Sequence, residues 1–218
     1  MQSYSETLRA CLAEYLPQAP ITLPENALED FVTYLTLMSR WQKVFNLTAI
    51  KTPEAQVTHH IMDALSIIPY LEGQRFIDVG TGAGVPGIVL AIAKPEYQLT
   101  LLDSVGKKIQ FLQQVKMSLK LNQVELVNSR VEAYHADPLF DGVITRAFSS
   151  INDMLAGTKH LCKQDGLFYA MKGQLPQDEL AALPTGFEVR ATHTLHVPGL
   201  DAERHLIVMR GNTSSLPL

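Results

Sequence analysis

Apolar residues change their spacing partway along this chain, and the change divides it. From Glu25 onward, Leu28, Phe31, Val32, Leu35, Met38, Trp41 and Phe45 recur mostly at steps of three and four. One apolar stripe of that period predicts an amphipathic helix, with Pro24 in its first turn. Thr52-Pro53 opens a second helix that carries Val57, Ile61, Leu65 and Ile68 on one face. After Gly73 short apolar runs alternate with helical segments. RFIDV, QLTLLD, VELVN, DGVIT and GLFYAM read as strands. Helices are expected over Pro86–Lys94, Val105–Leu121 and around Ile151 to Cys162. That order predicts an α/β fold with a mostly parallel sheet and helices on both faces. FEVRATHTL and RHLIVMR have no helix between them and read as an antiparallel pair closing one edge. Two units are therefore expected: a helical N-terminal extension over residues 1–72, packed on a sheet-containing core over residues 73–218.

In open α/β sheets, ligands sit beyond the carboxyl ends of the strands. This directs attention to Asp78 through Gly84, Asp103, Asn128 through Glu132, Thr145-Arg146 and Met171-Lys172. The segment FIDVGTGAGVPG is the densest in glycine, and two registers compete for it. Gly82-x-Gly84-x-x-Gly87, with Asp103 about twenty residues on, fits a dinucleotide whose pyrophosphate rests on a helix N-terminus, as in an NAD(P)-dependent oxidoreductase. Gly80-x-Gly82-x-Gly84 begins nearer the strand end and is preceded by Asp78. A carboxylate there disfavours a pyrophosphate and favours a cationic group such as an amino acid's ammonium. S-Adenosylmethionine combines that ammonium with a ribose for Asp103 and carries no phosphate, so the second register is preferred. Close packing of helix on strand also uses glycine, and Asp103 also suits a cap for the helix from Val105.

Bulk properties narrow the picture. A hydrophobic content of 46% indicates a globular protein with a sizeable core. The longest uncharged run, Val79 to Ala93, is too short for a membrane span. No leader-like start is visible, and Cys11 and Cys162 match no zinc spacing, so a reducing cytoplasm is expected. A net charge of −4 counts against general nucleic-acid affinity but leaves room for a local basic patch. Lys107 and Lys108 begin a helix, where the dipole disfavours cations, which suggests an anionic ligand. Arg130 and Lys172 stand at other strand ends on the same edge, and together these four are candidate RNA contacts. His59, His60 and Asp63 lie within one turn; a structural network is expected there rather than a metal site. Trp41 and Phe45 are expected in the core, with base stacking as the other reading.

The segments FIDVGTGAGVPGI, TLLDSVGKKIQFL, NSRVEAY, FDGVITRAF and YAMKGQ, in this order, resemble the motifs of the bacterial small-subunit ribosomal RNA guanine-N7 methyltransferases, the RsmG (GidB) family. RWQKVFNLTAI and HHIMDAL resemble that family's helical N-terminal segment, and ERHLIVM its last strand, so the likeness covers Glu25 to Arg210. Ala83, Val85, Gln42, Ala64 and Lys108 depart mildly from the family pattern. The resemblance implies a class I, Rossmann-like methyltransferase domain over residues 73–218. It implies methyl transfer from S-adenosylmethionine to N7 of guanosine 527 in 16S rRNA, free or in the small subunit. Carried over, the cofactor contacts are Gly80, Val85, Asp103, Val131, Glu132 and Arg146, alongside Asp78, Gly82 and Gly84 from the loop reading. Arg146 is the expected positioning residue, gripping the methionine carboxylate or aligning the base; an ion pair with Asp141 or Asp103 is its alternative. A ribosome-binding module that retains the fold without transfer is the non-enzymatic alternative.

Overall fold

The computed structural model describes residues 3–146 and 148–211; Ala147 of the quoted FDGVITRAF and the end of the 73–218 unit lie outside them. Seven strands form one sheet: β1 (Arg75–Val79), β2 (Gln98–Asp103), β3 (Val124–Asn128), β4 (Phe140–Thr145), β5 (Cys162–Lys172), β6 (Phe187–Thr194) and β7 (His205–Gly211). Their spatial order is β3-β2-β1-β4-β5-β7-β6. The first five pair in parallel, and β7 runs antiparallel to both β5 and β6. The closing pair predicted from sequence is present, with the later strand β7 inserted inside the edge and β6 outermost.

The period-two alternation of the strands sorts their side chains into two cores. Phe76, Leu99, Leu101, Ile144, Tyr169 and Leu206 face one side; Ile77, Val79, Leu102, Val143, Phe168 and Ile207 face the other. The first side is covered by the N-terminal helices α1 (Tyr4–Tyr15), α2 (Ala27–Gln42), α3 (Pro53–Gln56) and α4 (Asp63–Leu65), and by α5 (Gly87–Ala93) and α6 (Gly106–Leu119). The second side carries α7 (Ile151–Thr158) and the short turn Val131–Ala133, with the small α8 (Gln177–Ala181) packed beside α7.

Several local expectations shift. Pro24 stands before α2, its carbonyl accepting from the Ala27 N–H at 3.0 Å, and Phe45 lies past the helix end. Between α3 and α4 the chain winds as a π-helix over Val57–Met62. The wider turn keeps Val57, Ile61 and Leu65 buried while also turning Thr58, His60 and Asp63 inward. α7 stops at Thr158, and Cys162 opens β5 at the end of the sheet opposite the glycine loop. α1 has a capping box, Ser3 with Glu6, that the sequence reading passed over.

The N-terminal helices position the ligand edge directly. The buried Tyr34 hydroxyl of α2 donates to the Ala83 carbonyl of the glycine loop at 2.7 Å. Gln42 Oε1 accepts from the Leu47 and Thr48 N–H groups at 2.8 and 2.9 Å, fixing the loop that leaves α2.

Candidate active site

Two cavities open at the carboxyl ends of the parallel strands. The first, about 220 Å³, is bounded by Gly80 after β1, Asp103 at the end of β2, and Arg130, Val131 and Glu132 after β3, with Phe148 as an apolar wall. The second, about 360 Å³, is bounded by Arg146 after β4, Lys172 at the end of β5 and Arg204 before β7, with His60 and Asp63 from the N-terminal helices. The sequence-selected residues thus divide: Gly80, Asp103, Arg130, Val131 and Glu132 meet in one cavity, Arg146 and Lys172 in the other. Gly82, Gly84 and Val85 border neither, and the Val85 side chain is packed into the core.

Asp103 is held from three directions. Its Oδ1 accepts from the Val105 N–H at 2.9 Å, a turn just ahead of α6; that helix has no side-chain N-cap, so the capping role open in the sequence is not met. Its Oδ2 accepts from the Gly82 N–H at 2.9 Å and from Lys108 Nζ at 3.2 Å. A carboxylate fixed this way, at a strand end beside a cavity, meets vicinal hydroxyls without first being ordered. Lys108 is thereby drawn to the acid rather than outward, while Lys107 stays exposed with its ammonium 5.1 Å from the Phe45 ring centroid.

Asp78 sits deeper than its place in the motif suggested. Its Oδ2 accepts from Thr81 Oγ1 at 2.7 Å and from the Gly87 N–H at 2.9 Å, tying the start of α5 to β1. Its Oδ1 is buried without a hydrogen-bond partner. Burial pushes its pKa from 3.8 up to about 6, against the lowering effects of those two hydrogen bonds and the Arg146 charge. The folded chain holds this proton more tightly than the unfolded chain, so the group favours folding below 3.8 and loses that advantage as pH rises through about 6. An orphaned carboxylate oxygen beneath a bare loop suits a cationic ligand group and would repel a phosphate.

The loop supplies the room. A Cβ on Gly80, at φ +72°, would meet no atom within 4 Å. Its freedom from a side chain serves the backbone bend and the open space above it. These observations fit an adenosyl group with an amino-acid tail better than a dinucleotide.

Arg146 has a partner the sequence did not indicate. Its guanidinium lies 3.7 Å from Asp63 Oδ2 and donates to the His59 carbonyl at 3.1 Å. Asp63 Oδ1 is 3.3 Å from Arg204 Nε. The expected alternative partners are elsewhere: Asp141, at the start of β4, pairs with Lys163, and Asp103 with Lys108. The network expected of His59, His60 and Asp63 is not formed among themselves: His59 Nδ1 lies 3.1 Å from the Ala55 carbonyl, and Asp63 turns to the two arginines. His60 Nε2 lies 3.1 Å from Thr48 Oγ1, and burial drives its pKa down to about 3, keeping it neutral. No cluster of three or more metal-ligating side chains occurs among the described residues. Lys172 is paired with Glu179 at 3.0 Å. Sequence reasoning missed Asp63 as the partner of Arg146 and Arg204 as the second cation on Asp63, and gave no role to Phe148; its aromatic ring two residues past Arg146 was the available signal.

Among the described residues no helix is long and apolar enough to cross a membrane. Compared with known proteins, residues 27–207 match the family model described as rRNA small subunit methyltransferase G. The chain is 49% identical to the ribosomal RNA small subunit methyltransferase G of Enterobacter sp. (strain 638), over 92% of this chain and 97% of that protein. It is 50% identical to the same-named protein of Cronobacter sakazakii, with the same coverage. A SAM-dependent methyltransferase from Thiobacillus denitrificans, solved in complex with S-adenosyl-L-homocysteine, superposes with a TM-score of 0.53 over 69% of this chain and 90% of that one. At 12% identity that likeness shows the class I methyltransferase fold alone. The strand order, the carboxylate-lined edge and a family match spanning most of the chain converge: the protein belongs to the rRNA small subunit methyltransferase G family.

Proposed function

We propose that this protein transfers a methyl group from S-adenosylmethionine to N7 of guanosine 527 in 16S rRNA, acting in the cytoplasm on the RNA or on the small subunit. The observation that carries this reading is the cavity between Gly80, Asp103 and Val131-Glu132, in a chain of this family. Asp103 accepts the ribose hydroxyls, the backbone at Val131-Glu132 holds the adenine edge, and Phe148 covers the ring. The Asp78 carboxylate beneath the loop provides the negative field for the ammonium. S-Adenosylmethionine supplies a methyl group activated on a sulfonium.

Guanine N7 offers a lone pair and no proton, so the chain needs no general base. It needs alignment, which can account for roughly 7–11 kcal/mol of a barrier. The side chains agree with this. His60 is neutral and engaged with Thr48. Cys162 lies at the far end of the sheet with its pKa pushed up to about 12 by burial, so it is no thiolate nucleophile. Arg146, steadied by Asp63, aligns the base or grips the methionine carboxylate. Lys107 and Arg130 form no ion pair among the described residues and rim the edge that faces RNA, whereas Lys108 and Lys172 are engaged by Asp103 and Glu179.

Incubation of tritiated cofactor with under-methylated small subunits, followed by strand scission at N7-methylguanosine, tests the proposal. Label at guanosine 527 is expected. Absence of label would leave a ribosome-binding module, and binding of NADH in place of S-adenosylmethionine would restore the dinucleotide reading.

A pH dependence follows from Asp78. Only its ionised form attracts an ammonium, so cofactor affinity should fall as pH drops through about 6. The fall approaches about tenfold per pH unit below that value. Calorimetric titrations across this range should show the slope in the wild-type protein and a flat profile in Asp78→Asn. An equal slope in both would remove Asp78 from ligand recognition.

A further inference from the structure

A third cavity, about 280 Å³, lies outside the site just described, between the end of α2 and the outer face of α6. Its walls are Trp41, Phe45, Val44 and Leu37, with Arg40 at the rim and Gln114 at the base. Trp41 is pinned at both ends of its ring: Nε1 donates to Gln114 Oε1 at 2.6 Å, and the ring meets Phe111 of the core edge-on at 5.7 Å. Phe45 stands 5.5 Å from Trp41, tilted by 36°, and both rings are only partly buried. Val44, between them in sequence, is 74% exposed. The expectation that both aromatics are core therefore holds in part: each packs against the core on one side and is open on the other.

We propose that this groove stacks an unpaired base of the substrate RNA next to the nucleotide being methylated. The inference rests on the rRNA reading above and adds a second point of contact to it. Three features favour a nucleobase. The groove is smaller than a typical drug-sized pocket, which runs from about 300 Å³ upward, and suits one flat ring system. Its rim is cationic in a chain of net charge −4: Arg40 and Lys107 are exposed and form no ion pair among the described residues. Aromatic rings bordered by cations that no acid neutralises, here Arg40 and the Lys107 ammonium 5.1 Å from the Phe45 ring centroid, are the combination that binds single strands, the rings taking bases and the cations taking phosphates. The groove is also joined to the active edge on two sides. Lys107 precedes Lys108, which bonds Asp103. Phe45 precedes by three residues Thr48, which borders the Arg146 cavity, a separation of at most about 11 Å along the chain. A strand with its target guanine at that cavity passes this groove with a neighbouring base.

Trp41 is the single tryptophan of the chain, so its fluorescence reports the groove directly. Titration of the full-length protein with a short oligoadenylate should quench it. Lys107→Gln should lower the dependence of log affinity on log salt by about 0.7. Phe45→Leu should raise KM for under-methylated 16S rRNA and small subunits roughly tenfold, the scale of one lost base stack, while kcat and cofactor affinity hold. Val44→Glu, at an exposed position that folding does not use, should raise KM in the same way by placing an anion in the groove. No quenching, or unchanged KM in both variants, would overturn the proposal. A raised KM confined to assembled subunits, with no quenching by oligoadenylate, would overturn it in favour of a ribosomal protein. If the wild-type protein methylates neither substrate, the function proposed above fails instead, and the quenching titration still decides whether the groove takes a base.

Discussion

Asp103→Ala should weaken S-adenosylmethionine binding by about 100-fold, close to 2.8 kcal/mol. Two contributions sum to this. The first is the loss of the charge-assisted hydrogen bonding to the ribose, taken as about 1.5–3 kcal/mol because the carboxylate already holds three protein donors. The second is loss of order. The carboxylate is the common acceptor for the Gly82 and Val105 N–H groups and for Lys108 Nζ. Without it the glycine loop and the first turn of α6 separate from the end of β2, and the ligand must then bear their ordering. Asp103→Asn keeps the shape and one acceptor oxygen but loses the charge, so its affinity should fall between the two. Calorimetry with S-adenosylmethionine and with adenosine separates the contributions, because adenosine presents the ribose alone. Wild-type affinity for adenosine in Asp103→Ala would remove this residue from ribose recognition.

Much of this site was readable in advance because a parallel sheet converts chain position into spatial position. Asp78, Asp103, Asn128, Thr145 and Lys172 each end or nearly end an apolar run, and hydrogen bonding between parallel strands brings those ends to one edge. Cys162, expected at a helix end, instead opens β5, and the same geometry puts it at the far end of the sheet from the chemistry. What escaped the sequence depends on contacts between elements distant along the chain. Asp63 reaches Arg146 and Arg204 only because the N-terminal helices lie against the ends of β4, β5 and β7, and no local pattern encodes that docking. The π-helix at Val57–Met62 was invisible for a related reason. Apolar spacing of four suits an α-helix as well, and the polar contacts that accompany the wider turn, His60 with Thr48 and Asp63 with Arg146 and Arg204, are not written in the local pattern. Arg146 shows the limit most clearly. Its position at a strand end marked it as functional, while its partner had to be seen.

The glycines of the loop look alike in sequence, yet they should respond differently to one methyl group. Gly84→Ala should destabilise the protein by about 3 kcal/mol, combining left-handed strain of about 1–2 kcal/mol with overpacking of about 1–3 kcal/mol. Its φ is +91°, and a Cβ there would lie 2.5 Å from Ile88 Cγ1 and 2.6 Å from Leu112 Cδ2. The Leu112 methyl can rotate away, but Ile88 is β-branched and sits in the first turn of α5, so relief requires moving the helix. For a chain of this size the melting temperature should drop by roughly 10 °C. Gly80→Ala bears the strain of φ +72° alone, since its Cβ meets nothing within 4 Å. Its melting temperature should fall by only a few degrees, roughly a third as far. In exchange, the added methyl occupies the space reserved for ligand, so cofactor affinity should collapse in Gly80→Ala. Differential scanning calorimetry without ligand, paired with cofactor titration, reads both effects. Equal melting temperatures for the two variants would mean that the loop has no division between a residue that packs and a residue that admits ligand. Near-normal cofactor affinity in Gly80→Ala would place the ligand elsewhere.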